Sequence, residues 1–216
     1  MTSFCCISDL HNKYRKLKMP EADHLLIAGD FSNSGSQFEY EKFFEWVDEQ
    51  QERYSSVIFI AGNHDGSNRA DNKRWIEETF PNHPGIYLED SFVEIDGFKI
   101  YGMPWSVVYY DWSYMLEGQA LKDKSDAIPD DVDILISHGP PFMCGDMNGR
   151  GENCGDGFLA DRVKKLENLK LHCFGHIHPA AGSYTFGNSR AIFANVAMCD
   201  DRPVIVRDPV VFDLKK

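Results

Sequence analysis

Short apolar runs recur along the chain, separated by polar or glycine-rich segments. Their length and their content of β-branched and aromatic residues predict strands. The predicted strands are Phe4–Ser8, His24–Ala28, Val57–Ala61, Phe98–Gly102, Asp133–Ser137, Leu171–Phe174, Arg190–Ala194, Val204–Arg207 and Val210–Leu214. Because most of these runs are apolar at nearly every position, we expect central strands that are buried on both faces.

Helical periodicity appears between some of the strands. In Phe38–Gln50 the apolar residues Phe43, Phe44 and Val47 fall on one face, whereas the opposite face is acidic. Phe158–Leu169 repeats apolar residues at helical spacing, and Asn68–Phe80 is a weaker helix that ends before a proline. The alternation predicts an α/β fold, a four-layer α/β/β/α sandwich in which two mixed sheets are flanked by helices.

A hairpin is predicted within Ile86–Gly102, because the pair Asp96-Gly97 lies between two strand-like runs. The segment Met143–Phe158 contains several glycines, and we expect this loop to be flexible and functional.

The length of 216 residues is typical of one domain. A net charge of −12 argues against binding to nucleic-acid polymers or to anionic membrane surfaces. The chain has no apolar run long enough to cross a membrane, and we expect no signal peptide at its start. Six cysteines without a CxxC pair favour reduced, mostly buried thiols and a cytoplasmic location.

Polar side chains follow nearly every strong strand. They occur in the segments Asp9-Leu10-His11, Gly29-Asp30, Gly62-Asn63-His64-Asp65, Ser137-His138-Gly139 and Gly175-His176-Ile177-His178. Because the carboxyl ends of parallel strands meet at one edge of a sheet, we expect these residues to lie together in space. Carboxylates, an amide and several imidazoles suit Mn²⁺, Fe or Zn²⁺, and there are enough of them for two ions.

These five segments, in this order and spacing, resemble the signature blocks of the calcineurin-like metallophosphoesterases. The resemblance spans almost the whole chain, and no ligand position is substituted. It implies that one metal ion is held by Asp9, His11 and His178, and the other by Asn63, His138 and His176. It also implies that Asp30 bridges the two ions, that His64 is the catalytic histidine, and that Asp65 orients the His64 imidazole.

Further stretches, among them "HCFGHIHPAAG" and "AGDFSNSG", are similar to the small metallophosphoesterase-domain-containing phosphodiesterases of the fetal-brain type. That resemblance implies one metallophosphoesterase domain over residues 1–216, without a large cap domain. The protein Ser/Thr phosphatase branch is disfavoured, since no arginine closely follows Asp30.

Two further residues are candidates for substrate contacts. Trp105, which begins an aromatic stretch after a predicted strand, could stack on a nucleobase or an aromatic leaving group. Arg150, in the glycine-rich loop, could contact a phosphate oxygen. Packing in the first case and a solvated loop position in the second remain open alternatives.

The predicted activity is hydrolysis of small phosphodiesters by a hydroxide that bridges two metal ions, most readily Mn²⁺. His64 would protonate the leaving oxygen, and cyclic nucleotides are the leading substrates by resemblance. A phosphomonoesterase or a dinucleoside polyphosphate hydrolase is the enzymatic alternative. A non-catalytic metal-binding scaffold is the alternative from another class.

Overall fold

Most of the strands run parallel to their neighbours in the computed structural model, which describes residues 1–67, 69 and 71–216. The strands are β1 (Thr2–Ile7), β2 (His24–Ala28), β3 (Ser56–Ile60), β4 (Ile86–Tyr87), β5 (Ser91–Ile95), β6 (Phe98–Met103), β7 (Ser106–Val107), β8 (Met115–Leu116), β9 (Ile134–Ser137), β10 (Leu171–Phe174), β11 (Gly182–Tyr184), β12 (Ile192–Asn195) and β13 (Val210–Leu214).

The helices lie between strands, as expected for an α/β chain. They are α1 (Gln37–Gln51), α2 (Asn72–Thr79), α3 (Gly118–Asp126) and α4 (Gly157–Val163), with short 3₁₀ helices at Tyr14–Lys16 and His178–Ala180. Helix α1 begins with a capping box, in which the Ser36 hydroxyl accepts from the Glu39 N–H and the Glu39 carboxylate accepts from the Ser36 N–H. In the described part of the chain, no helix combines the length and the apolar character that a membrane crossing requires.

Two large mixed sheets form the centre of the molecule. The first sheet has the order β13-β1-β2-β3-β4 and the second has the order β11-β12-β10-β9-β6-β5. In the first sheet only β13 is antiparallel, and in the second only the edge strands β11 and β5 are. The long parallel runs point the carboxyl ends of β1, β2, β3, β9 and β10 toward one edge of the fold.

Three apolar clusters separate four layers. One cluster lies between the sheets and joins Phe4 and Ile58 of the first sheet to Ile136 of the second. Another packs the outer face of the first sheet against α1, and the third packs the outer face of the second sheet against α4. The predicted four-layer α/β/β/α sandwich is therefore confirmed.

Several element predictions differ from the structure. Val204–Arg207 is not a strand, and only Ile205 forms an isolated bridge, to Cys199. The helix predicted over Phe158–Leu169 ends at Val163, and α3 was not predicted. The helix predicted over Asn68–Phe80 begins at Asn72, while Asn68 and Ala70 lie outside the described residues.

The predicted hairpin is confirmed at its turn. Ile95 of β5 pairs with Phe98 of β6, so the loop consists of Asp96 and Gly97. Both residues have positive φ, 51° for Asp96 and 78° for Gly97. Positive φ at both positions is what the common two-residue hairpin turn requires.

The six cysteines are free thiols, and all except Cys154 are buried. The prediction of mostly buried thiols without a disulfide framework agrees with this arrangement.

His172 of β10 is fully buried on the outer face of the second sheet, against the rings of Phe174 and Phe193. One ring nitrogen, Nε2, lies 2.8 Å from the Ser137 hydroxyl, and the other, Nδ1, has no partner among the described residues. Burial lowers the pKa of His172 to about 3, because the surroundings cannot solvate a charged imidazole.

We expect this histidine to make the fold sensitive to acid. Between about pH 6.5 and pH 3 the unfolded chain binds a proton at this position and the folded chain does not, so stability falls as the pH falls. The slope from this group is about 1.4 kcal/mol per pH unit. Urea unfolding of the wild type and of His172→Leu at pH 7 and pH 5 measures it. The variant should lose less stability between the two pH values, and equal losses would contradict the assignment.

Candidate metal centre

Polar residues from both sheets meet at the edge where the parallel strands end. Each group directly follows a strand or the turn after it, so the direction of the strands places it there. The first sheet contributes Asp9 and His11 after β1, Asp30 after β2, and Asn63, His64 and Asp65 after β3. The second sheet contributes His138 after β9 and His176 and His178 after β10.

The side chains converge into three overlapping groups. Within each group the potential ligand atoms lie within 4.8 Å of one another; the groups are Asp9, His11 and His178; His11, Asp30 and His64; and Asp30, His138 and His176. His11 and Asp30 each belong to two of the groups and so connect the three groups into one cluster. Asn63 joins the third group, because its Oδ1 lies 2.9 Å from Nε2 of His138.

Four of these residues adopt a left-handed backbone conformation. The φ angle is 54° at Asp9, 42° at His11, 52° at Asp30 and 67° at His176. Residues other than glycine rarely adopt such angles, and each of these residues turns the chain sharply after a strand. Each such backbone conformation costs on the order of 1 kcal/mol or more and persists only where the surrounding structure enforces it. Conformations of this kind are common at functional sites.

Glycines let the backbone approach the polar side chains closely. A Cβ on Gly175 would collide with the Asp9 carboxylate and the Ser8 hydroxyl, and one on Gly62 would collide with the Asp30 carboxylate. At Gly29, whose φ is 91°, a Cβ would lie 2.7 Å from Nδ1 of His138. The space around the carboxylates is thus available only because these positions have no side chain.

The imidazoles are oriented by backbone carbonyls. His138 and His178 each direct Nδ1 at a carbonyl oxygen, that of Ala28 at 2.9 Å and that of Asp200 at 3.0 Å. An Nδ1–H that donates to a carbonyl leaves Nε2 free to bind an electrophile, and metal-bound histidines usually have this arrangement. In both residues Nε2 faces the carboxylates, at 3.4 Å from Asp30 and 3.1 Å from Asp9 respectively.

Charge coupling in the centre is strong. Burial alone would lower the pKa of His138 and of His178, but the adjacent Asp30 and Asp9 carboxylates raise each to about 9. Burial would raise the pKa of Asp9, yet its interactions with His178 lower it to about 2. His176, without so close a carboxylate, has its pKa lowered by burial to about 4. The buried carboxylates therefore stabilise positive charge on the groups next to them in the centre.

This donor set fits divalent metal ions. Two buried carboxylates, an amide oxygen and several imidazoles with a free Nε2 match the ligands of Mn²⁺, Fe or Zn²⁺, and no thiolate is present among them. The cations would supply the positive charge that the carboxylates otherwise draw from protonated histidines. The carbonyls behind the imidazoles supply the outer hydrogen bonds that such centres need.

His64 is held differently from the prediction. Its Nδ1 lies 2.8 Å from the Asn33 carbonyl oxygen, and its backbone N–H donates to Oδ1 of Asp30 at 2.8 Å. The Asp65 carboxylate instead accepts from the Ser32 N–H and hydroxyl and from the Gly62 N–H. The expected role of Asp65 in orienting the imidazole is therefore wrong; Asp65 is buried and fastens the β2 and β3 turns to each other.

The carbonyls of Asn33, Ala28 and Asp200 were missed by the sequence reasoning. A carbonyl is present at every residue, so the residue type gives no signal of this role. Only the path of the backbone brings these oxygens to the imidazoles: Ala28 ends β2, Asn33 follows it, and Asp200 lies between β12 and β13.

The cavity above the centre has a volume of about 360 Å³. Its floor includes Asp30, Asn63, His64, His176 and His178. The rest of its lining includes an aromatic group, Tyr109, Tyr110 and Trp112, and also Met115, Asn148, Gly149, Ile177, Pro179 and Asp201. A larger groove lies elsewhere on the surface, beside α1 and Phe80, and none of the residues of the metal centre lines it.

Neither residue predicted to contact substrate lines this cavity. Trp105 donates from its indole N–H to Asp90 at 2.9 Å, and the Lys124 ammonium lies 4.3 Å from its ring centre, so it is engaged in packing. Arg150 is exposed at the tip of the glycine-rich loop, with its N–H donating to Asn148. The aromatic residues that do line the cavity lie a few positions after Trp105 in the same stretch.

The glycine-rich loop is more tightly fastened than its composition indicates. The buried Asp146 carboxylate accepts from the Met143 N–H at 2.9 Å and from the Gly155 N–H at 3.0 Å, which closes the loop on itself. The Asn195 amide donates to the carbonyls of Gly145 and Ile177, both at 2.9 Å. These bonds tie the loop to the segment that carries His176 and His178, and hold Asn148 at the cavity wall.

Comparison with known proteins finds relatives that belong to one family. Residues 2–180 match the calcineurin-like phosphoesterase family. The human "Metallophosphoesterase domain-containing protein 1" is 36% identical over 238 residues, covering 99% of this chain and 71% of that protein.

Two bacterial relatives are more distant. The "Probable glycerophosphodiester phosphodiesterase GpdQ" of Arcobacter nitrofigilis is 30% identical, covering 80% of this chain and 61% of that protein. A "Probable cyclic nucleotide phosphodiesterase" of Synechococcus sp. is 28% identical, covering 77% of this chain and 62% of that protein.

Among solved structures, TT1561 of Thermus thermophilus superposes with a TM-score of 0.62 over 90% of this chain and 88% of that one, at 13% identity. At that identity the likeness bears on the fold alone. The family match and the human relative, which aligns with 99% of this chain, show more: this chain belongs to the calcineurin-like phosphoesterase family, and it is a metal-dependent phosphoester hydrolase of the kind that uses two divalent ions.

Proposed function

We propose that the protein is a phosphodiesterase for small phosphodiesters, with cyclic nucleotides as the leading substrates. The observation that carries this proposal is the lining of the cavity. Apart from the residues of the metal centre it consists of aromatic and other apolar residues, one glycine, one amide and one carboxylate, and its described residues include no lysine or arginine. The names of the two bacterial relatives, a glycerophosphodiester and a cyclic nucleotide phosphodiesterase, support the same class of substrate.

The charge of the substrate is the reason for preferring a diester. Two divalent cations would carry +4, the carboxylates of Asp9 and Asp30 carry −2 and the attacking hydroxide −1, which leaves about +1. A monoanionic diester balances that charge more closely than a dianionic monoester does. Asp201 in the cavity lining disfavours further negative charge, and no lysine or arginine in the described lining offsets it. A dinucleoside polyphosphate would bring still more negative charge into the cavity and is disfavoured for the same reason.

We propose the following ligands for the two ions. Asp9, His11 and His178 would hold one, Asn63, His138 and His176 would hold the other, and Asp30 would bridge them. Two of the groups, Asp9-His11-His178 and Asp30-His138-His176, support this division, and the group of His11, Asp30 and His64 connects Asp30 to the first set. Mn²⁺ is the proposed metal. When bound, the ions would neutralise charge on the phosphoryl oxygens and make water a better nucleophile.

His64 is proposed to supply the proton that the leaving oxygen needs. Its Nδ1–H donates to the Asn33 carbonyl, so the imidazole would act as the acid in its doubly protonated form, give the Nε2 proton to the leaving oxygen and keep the Nδ1 proton. The backbone N–H bond to Asp30 fixes the distance between this imidazole and the middle of the cluster.

The direct test compares two substrates on the protein reconstituted with Mn²⁺. We expect kcat/KM for bis-p-nitrophenyl phosphate to exceed that for p-nitrophenyl phosphate by about 10-fold or more, since about 1.4 kcal/mol of better charge balance is enough. Asp30→Asn run in parallel separates this activity from contaminating phosphatases. A preference for the monoester would overturn the phosphodiesterase proposal in favour of a phosphatase.

A further inference from the structure

The aromatic wall of the cavity is formed by one segment, residues 108–114, which we call the aromatic loop. Three of its side chains line the cavity: Tyr109, Tyr110 and Trp112. They are also strongly exposed, at 61%, 74% and 43%. Large aromatic side chains left in water beside a polar centre are candidates for binding a ligand, because burial by that ligand would be favourable.

The base of the loop is anchored. The Ser106 N–H donates to the Tyr114 carbonyl at 2.9 Å, and the Val108 N–H donates to the Leu116 carbonyl at 3.1 Å. The buried Tyr114 hydroxyl donates to Glu89 at 2.8 Å. The loop thus projects its rings from a fixed base, which lowers the entropy that a bound ring must offset.

The backbone of the loop is strained where the rings emerge. Tyr110 has a φ of 61°, in the left-handed region that an aromatic residue rarely adopts. On its other side the loop lies against Gly66, where a Cβ would collide with Ser113. The glycine that follows His64-Asp65 therefore permits the close approach of the loop to the His64 turn.

Trp112 packs directly against His64. Their ring centres are 4.4 Å apart with the planes tilted by 54°. In the function proposed above, His64 faces the leaving oxygen. The aromatic loop consequently flanks the leaving-group side of the scissile bond.

We propose that the aromatic loop is a specificity-determining subsite that stacks a flat aromatic ring, such as a nucleobase, carried by the phosphodiester on its leaving-group side. This inference rests on the proposed function and deepens it. Stacking tolerates any base, because every base presents a π-face, so the subsite selects aromatic over aliphatic diesters rather than one base over another. The loop contains no lysine or arginine that would bind an additional phosphate.

The first test measures selectivity. Two diesters are compared: 3′,5′-cyclic AMP and the same cyclic ribose phosphate with a methoxy group in place of the base. The variants are Tyr110→Ala and Trp112→Ala, with Trp112→Phe to restore an aromatic surface. Phe92→Ala is the matched control, because Phe92 is 51% exposed on β5, outside the cavity lining.

We expect the alanine variants to lose about 10-fold or more in kcat/KM for the substrate with a base, and markedly less for the substrate without one. Trp112→Phe should recover most of the selectivity, and Phe92→Ala should retain it fully. An equal loss on both substrates would overturn the subsite while leaving the phosphodiesterase proposal intact. Failure of the wild type to cleave either diester would overturn both proposals.

The second test needs no turnover. Adenosine, which has no phosphate, is titrated into the protein while tryptophan fluorescence is followed. Binding at the subsite should quench the exposed Trp112, and the quenching should disappear in Trp112→Phe and persist in Phe92→Ala. Quenching that persists in Trp112→Phe would place the base elsewhere and contradict the subsite, whatever the hydrolytic activity shows.

Discussion

Asp30→Asn is expected to remove nearly all hydrolysis and to lower the content of both metal ions together. The Asp30 side chain belongs to two of the three ligand groups, and the residue is only 2% exposed, so its loss leaves the middle of the centre without a bridging carboxylate. An asparagine would present an amide N–H₂ to one side of the centre and withdraw a negative charge from both ions. Since changes to outer residues of metal sites already cost about 10–100-fold, we expect a loss of at least about 100-fold.

The measurement is metal content by mass spectrometry after loading with Mn²⁺, together with turnover of bis-p-nitrophenyl phosphate. Asp133→Asn is the matched control, because Asp133 is also 2% exposed but accepts from the Lys99 N–H at the other end of the second sheet. That control should lower thermal stability and retain both ions. Two ions bound at wild-type affinity in Asp30→Asn would contradict the bridging role.

His64→Ala is expected to slow turnover by about 10²- to 10⁴-fold while both metal ions remain bound, as for the loss of a general acid. The loss should depend on the leaving group. p-Nitrophenolate departs without a proton, whereas the alkoxide of a cyclic nucleotide does not, so the variant should be impaired more on the cyclic nucleotide.

Comparing the two substrates also separates general-acid catalysis from metal binding. The ligand atom of His64 lies within 4.8 Å of those of His11 and Asp30, so a contribution to metal binding is the competing explanation. If metal content falls in parallel with activity, or if both substrates suffer equally, the general-acid role is wrong. His83→Ala is the control, since His83 stacks on Phe44, with ring centres 5.0 Å apart, away from the cavity.

The layers and the converging strand ends could be predicted because both follow from local patterns. Apolar runs define the buried strands, and a polar residue directly after a strand must lie at the sheet edge. The run Val204–Arg207 misled the prediction, since its apolar residues Val204 and Val206 are exposed and only Ile205 forms a bridge, to Cys199. Pattern alone cannot tell an irregular segment from a short edge strand.

The finer features of the site depended on the path of the backbone. Asp65 follows His64 in sequence, but the turn directs its carboxylate at Ser32 and leaves the imidazole to Asn33. Trp105 and Trp112 are equally aromatic in sequence, and only the loop between β7 and β8 decides which of them reaches the cavity. Adjacency along a chain does not determine adjacency of side chains in a turn.

Because the polar residues of the metal centre come from both sheets, metal binding is coupled to the unfolding of the protein. Asp9, Asp30 and Asn63 follow strands of the first sheet, whereas His138, His176 and His178 follow strands of the second. Metal ions bound by residues of both sheets would connect the sheets across their apolar interface. The two sheets could then not separate without breaking coordinate bonds. Loss of the metal ions would therefore lower the free energy of unfolding as well as end catalysis. The supply of metal would then help to determine how long the folded protein lasts.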